Sequence, residues 1–207
     1  MNPIRSSLVI LILAVAGTVS LDAQSVPAPA PAATSTPPAA QPAPRARTSP
    51  HETISTVIGE RRTGNRITIT YGRPFTKNPK TAEPRKIWGG LVPWDKADRL
   101  GADEATLLIT QQPLLIGETT IPAGAYTLYI VPSENSPTKL AFSTALGKWG
   151  VPVDETHDLA RVELKKAPLE KSVDQLTLAI EGKTSDSGTL KIMWENTQFS
   201  VLFVVKK

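Results

Sequence analysis

Residues 101–132, GADEATLLITQQPLLIGETTIPAGAYTLYIVP, hold three extended segments and two turn signals. Thr106–Thr110 and Leu114–Ile116 are short apolar runs set off by Gln111-Gln112-Pro113 and Gly117-Glu118. After Ile121-Pro122-Ala123-Gly124, residues 125–131 (AYTLYIV) combine aromatic and β-branched side chains up to Pro132. Both faces of this last segment, Tyr126/Leu128/Ile130 and Ala125/Thr127/Tyr129/Val131, are largely apolar, as in a central strand covered on two sides. The stretch predicts a β domain.

The flanking chain extends that reading. Residues 53–58 and 66–71 form a hairpin pattern about a polar turn, with Ile67, Ile69 and Tyr71 on one face and Thr68 and Thr70 on the other. Residues 87–94, IWGGLVPW, set two Trp around Gly-Gly and Pro, which predicts a constrained loop. Lys139–Ser143 reads as a strand, and residues 154–160 (DETHDLA) as a helical turn with acidic residues near its start, where the helix dipole favours them. Closing strands are expected over 160–164, 173–181, 190–195 and 199–205, with turns at 184–188 and at Asn196-Thr197. The expectation is an all-β fold, a β-sandwich or jelly roll of about nine to ten strands with one short helical turn.

The first quarter of the chain reads differently. Arg5 precedes an apolar run over 8–21 of signal-peptide length, so residues 1–23 are expected to be an export signal cut after Ala23, with Ala16 as the alternative. Residues 24–50 contain eight Pro and eight Ala among 27 positions, a spacer without core-forming residues. The domain is expected over 51–207, exported to the periplasm or outside the cell, with no membrane span once the signal is removed.

Cysteine is absent, which excludes disulfides, thiolate metal sites and a cysteine nucleophile. From residue 51 on, twenty Lys/Arg stand against eighteen Asp/Glu, and no basic run is interleaved with aromatics, so nucleic acid is not an expected partner. His51 and His157 are the two histidines. His51 is read as solvated at the domain's edge, and His157 as part of a polar turn with Asp154, Glu155 and Asp158. No nucleophile elbow, zinc-binding His pair, phosphate loop or calcium loop occurs, and no cofactor is signalled.

Six ordered stretches carry a resemblance: Tyr71-Gly72-Arg73-Pro74, Ile87-Trp88-Gly89-Gly90-Leu91-Val92-Pro93, Gly101-Ala102-Asp103-Glu104-Ala105-Thr106, Pro122-Ala123-Gly124-Ala125-Tyr126-Thr127-Leu128, Asp158-Leu159-Ala160-Arg161-Val162 and Trp194-Glu195-Asn196. Together they resemble the bacterial domain of unknown function 2911 family, from about residue 53 onward. The resemblance implies an exported single domain and no particular chemistry. Asp98 stands where that family tends to carry an aromatic residue, and Asp103 where Asn is common.

Tyr71, Arg73, Trp88, Arg99, Asp103, Glu104, Arg161 and Glu195 are the candidate ligand-binding residues, expected to form one polar cluster because they fall in these stretches. Aromatic faces stack on sugar rings, and flanking charges hydrogen-bond hydroxyls. The leading expectation is a non-catalytic binding module for a small polar or saccharide ligand of the cell envelope. Two alternatives stand beside it: a structural or protein-interaction domain pairing with an envelope protein, and a carboxylate-dependent glycan hydrolase using Asp103, Glu104 or Glu195. Asp103 and Glu104, as neighbours in an extended chain, are expected to point apart. Trp194, alternating with Leu190 and Ile192, is expected in the core, while Trp149 has no assignable place.

Overall fold

The computed structural model describes residues 47–207. The expected export signal and most of the Pro/Ala spacer lie outside these residues. The fold is all-β, with eleven strands among the described residues: β1 (His51–Ile58), β2 (Asn65–Gly72), β3 (Asp98–Arg99), β4 (Thr106–Thr110), β5 (Leu114–Ile116), β6 (Thr119–Ile121), β7 (Gly124–Val131), β8 (Lys139–Ser143), β9 (Asp158–Glu163), β10 (Lys165–Gly182) and β11 (Ser187–Val205). They form two antiparallel sheets, one ordered β1-β2-β4-β7-β8-β9 with β3 also on β7, the other ordered β10-β11-β5-β6. No helix is long and apolar enough to cross a membrane among the described residues.

The alternation in β2 places Asn65, Ile67, Ile69 and Tyr71 inward, and β7 runs between β4 and β8 with Tyr126, Leu128, Tyr129 and Ile130 buried. Apart from Tyr129, which lies on the other face of β7, these apolar side chains meet Leu178, Leu190, Ile192, Phe199 and Phe203 of the second sheet in one continuous core. Such burial is the main favourable term for a domain without cross-links. Asn65 is the polar exception. Its Oδ1 accepts from the backbone N–H of Gln111 (3.0 Å) and Gln112 (2.9 Å) and its Nδ2 donates to Thr110 Oγ1 (2.9 Å), so a fully buried amide holds the turn after β4.

Three differences from the sequence reading stand out. The helical turn is a single 3-10 turn, Glu155–His157, N-capped by Asp154 and followed directly by β9. Asn196-Thr197 does not reverse the chain; β11 continues through it, with Glu195 at φ 55° and the register to β10 shifted on either side of the Val173–Glu195 pair. β3 and β6, of two and three residues, are too short to carry a periodicity.

Tyr71 joins the sheets. Its hydroxyl accepts from the Leu178 backbone N–H (2.9 Å) and donates to Glu52 (2.5 Å). Burial, reinforced by Glu52, pushes its ionisation far above the usual tyrosine range, so it keeps the proton that this geometry needs. Tyr71→Phe leaves the Leu178 N–H without its acceptor. The expected loss is about 1–3 kcal/mol, read as a lower urea midpoint with an unchanged slope. An unchanged midpoint would refute this role.

Candidate functional site

The site is built on the short strand β3 and the turn that follows it. β3 pairs with β7 through Asp98–Ile130 and Arg99–Tyr129. The chain then turns with Gly101 at φ 141° and Asp103 at φ 62°, and Thr106 Oγ1 closes the turn onto the Leu100 carbonyl. The turn lies against β2: a Cβ on Gly72 would stand 2.2 Å from the Ala102 carbonyl oxygen, so glycine permits this approach.

Arg99 is held from two sides. Its Nη1 donates to the Asp103 carbonyl (2.6 Å) and to the Trp149 carbonyl (3.2 Å), and its guanidinium lies 5.6 Å from the centre of the Trp149 ring. The loop bearing Trp149 is docked by the Ala105 N–H on the Lys148 carbonyl (3.2 Å). Trp149 and Val151 are each 56% exposed, an apolar surface at the rim of a cleft of about 250 Å³ that Arg99, Tyr129, Lys148 and Asp154 also line.

Around this cleft the charges are organised in two networks. Arg161 donates from Nε to Asp158 (2.7 Å) and from Nη2 to the Tyr129 hydroxyl (2.8 Å), pairs with Glu155, and lies 5.6 Å from the Tyr129 ring centre. Burial, then the hydrogen bond to Asp158, raises the Tyr129 phenol well above its ordinary range. On the other side Arg47 forms a two-pronged pair with Glu104 (2.6 and 2.6 Å), which holds that carboxyl below the usual range. His51 Nε2 meets Asp103 at 3.1 Å and Glu104 at 3.6 Å.

Residues 49–203 match the family described as Protein of unknown function (DUF2911). The chain belongs to that family. No curated protein and no solved structure matches it.

Within this DUF2911 domain the eight candidates divide. Arg99, Asp103 and Glu104 are together, and Arg161 joins them through Tyr129, the cross-strand neighbour of Arg99. Tyr71 shares a shallow depression with Glu104, Arg47 and His51. Arg73 serves the sheet junction instead, bonding the Leu176 carbonyl (3.1 Å) and Thr177 (2.9 Å). Trp88, 9% exposed, is in the core, edge-on to Phe199 (5.0 Å) and Trp194 (6.3 Å). Glu195 sits in the irregularity of β11 and lines none of the cavities described here. Asp103 and Glu104 do not point apart, because the left-handed φ of Asp103 brings both carboxylates to one His51 nitrogen. His51, exposed at the start of the edge strand β1 as expected, is also a partner to both carboxylates.

The residues missed in the sequence are Trp149 and Asp98. Burial pushes the Asp98 carboxyl up to about 6, with the Arg99 charge opposing the rise. A carboxyl whose folded value exceeds its unfolded one binds its proton more tightly in the folded state. Its contribution is therefore most favourable below about pH 4 and is lost as pH rises through about 6. Asp98→Asn is expected to raise the thermal midpoint at neutral pH and to match the parent near pH 4. A lower midpoint for the variant at neutral pH would contradict this. Among the described residues no group of three or more His, Asp or Glu is placed to hold a metal ion.

Proposed function

We propose that this domain is a non-catalytic binding module that receives a small polar or saccharide ligand at the cleft beside Arg99. The observation carrying this reading is the guanidinium fixed 5.6 Å from a tryptophan that the fold leaves 56% exposed. An exposed indole held beside a pre-oriented cation offers a stacking face and directed donors without reorganisation on binding. Lys148, Asp154 and the Tyr129 network supply further polar groups around it. The apolar run near the N-terminus supports placing this binding in the periplasm or outside the cell. Asp103 and Glu104 are engaged by His51 and Arg47, and Glu195 lies off the cleft, so the geometry favours binding over hydrolysis by a carboxylate pair.

Thermal unfolding of the full chain against monosaccharides, cell-wall fragments and small organic acids tests the reading. A ligand at about 100 times its dissociation constant adds about 2.7 kcal/mol, a rise of roughly 5–10 °C for a domain of this size. Trp149→Ala is expected to abolish most of that rise while leaving the unliganded midpoint near the parent's, since the side chain is exposed. A panel without any rise, or a rise that survives Trp149→Ala, would defeat the proposal.

A further inference from the structure

The arginines near the cleft are not alike. Arg47 pairs with Glu104, Arg73 approaches Glu52 at 3.5 Å, and Arg161 is held by Asp158 and Glu155. Arg99 engages Nη1 with two neutral carbonyls and has no carboxylate partner among the described residues. Its Nε and Nη2 donate to nothing among those residues, and both keep solvent-accessible surface. On a planar guanidinium these two N–H groups lie side by side, the edge that meets the two oxygens of a carboxylate as a fork. Lys148, exposed on the same cleft, also lacks an ion pair among the described residues. The carboxylates nearby are engaged or face elsewhere. Asp154 lines the cleft but accepts from Thr156 N–H (3.1 Å) and Oγ1–H (2.5 Å) and meets His157 Nδ1 at 3.1 Å. Asp98, which feels the charge of Arg99, forms no ion pair with it and does not line this cleft.

We infer that the cleft takes an acidic sugar, a single uronic-acid ring whose carboxylate is received by the Nε–Nη2 edge of Arg99 and by Lys148 while the ring lies against Trp149. This deepens the binding proposed above and rests on it. An ionised carboxylate only accepts, so it complements a set of charged donors that a neutral hydroxyl leaves part-used. The volume of about 250 Å³ is at the small end of ligand cavities and holds one ring rather than a chain. Val151 and Pro152 extend the apolar surface of Trp149 for the C–H face of that ring. Asp154 can still accept from a ring hydroxyl. Arg99 and Lys148 against Asp154 leave the lining with one positive charge in excess. That excess suits a carboxylate, whereas a phosphate monoester brings up to about two negative charges.

The experiment titrates the full chain near pH 7.5 with glucuronate and galacturonate, with glucose, galactose and glucuronamide as neutral counterparts, and with acetate and glucose-6-phosphate. Calorimetry gives the affinities. The Trp149 indole NMR signal, assigned by its loss in Trp149→Ala, locates the ligand. The expected result is saturable binding of at least one uronate, about tenfold or more tighter than its neutral counterparts and than acetate, with a displaced Trp149 signal. Raising the salt from about 0.02 M to about 0.5 M should weaken the uronate several-fold and leave the neutral sugars unchanged. Arg99→Lys keeps the charge and removes the fork, and should weaken the uronate by about tenfold. Lys148→Gln, at an exposed position, should weaken it several-fold. If Arg99→Lys disturbs the loop, Lys148→Gln and the comparison of glucuronate with glucuronamide on the parent chain decide. Glucuronamide or glucose binding as tightly as glucuronate would overturn the inference and leave the binding module standing. Acetate or glucose-6-phosphate binding more tightly than either uronate would do the same. Silence from every probe would defeat both readings.

Discussion

Trp88→Ala is expected to destabilise the domain by about 3–5 kcal/mol and to lower its thermal midpoint by roughly 6–20 °C. The ring is 9% exposed and packs edge-on against Phe199 at 5.0 Å and Trp194 at 6.3 Å, so its removal opens a cavity at an aromatic junction. The surrounding loop is rigid and cannot collapse into the space. Gly89 N–H bonds the Val92 carbonyl, Val92 N–H bonds the Ile87 carbonyl, and Gly89 at φ 73° lies under Trp94, where any Cβ would stand 2.2 Å from the indole nitrogen. Trp88→Phe should recover much of the loss, because the Trp88 Nε1 has no partner to lose. A ligand-stacking tryptophan would behave in the opposite way, sparing stability and losing binding. Urea unfolding separates the two, and a Trp88→Ala protein of parental stability would remove Trp88 from the core assignment.

Gly72→Ala has the second largest expected effect, a loss of about 3 kcal/mol from overpacking. The added methyl would lie 2.2 Å from the Ala102 carbonyl oxygen and 2.8 Å from its carbon, both backbone atoms that cannot rotate away. Gly101 faces Gly72 across the same junction, its own Cβ position 3.0 Å from the Gly72 oxygen. Relief must come from moving the turn over 101–103, which carries the Asp103 carbonyl that holds Arg99. The variant should therefore be both less stable and altered at the cleft, seen as a displaced Trp149 indole signal. Lost stability with an unmoved Trp149 signal would show that the turn is not coupled to the Arg99 contact.

These two positions also show what could be read from residues alone. The strands with clean borders, Thr106–Thr110, Leu114–Ile116 and Lys139–Ser143, have the limits that alternation and Gly/Pro punctuation predict. β10 was legible only from Val173, because residues 165–171 carry four charged side chains and Pro168 around just two apolar positions, Ala167 and Leu169; their partner in β11, not their own pattern, makes them a strand. The turn chemistry of Asn196-Thr197 was real but is absorbed by one left-handed residue, Glu195. At the site, Arg99, Asp103 and Glu104 could be picked from one contiguous stretch. Trp149 could not, since its value lies in being left exposed by a loop that docks through backbone contacts. Trp194 was assigned to the core from strand alternation, and it is there, edge-on to Trp88.

The pairing of Val204 and Val205 with Leu115 and Leu114 joins positions about ninety residues apart and supplies the link between β11 and the β5-β6 hairpin. The second sheet is therefore incomplete until synthesis has passed Val205. A growing chain can form the β1-β2 hairpin early, but its apolar inner face has no lid until the end, so the unfinished polypeptide exposes the surfaces that chaperones recognise. A chain cut before Val204 would therefore leave the β5-β6 hairpin without its partner strand and the second sheet open.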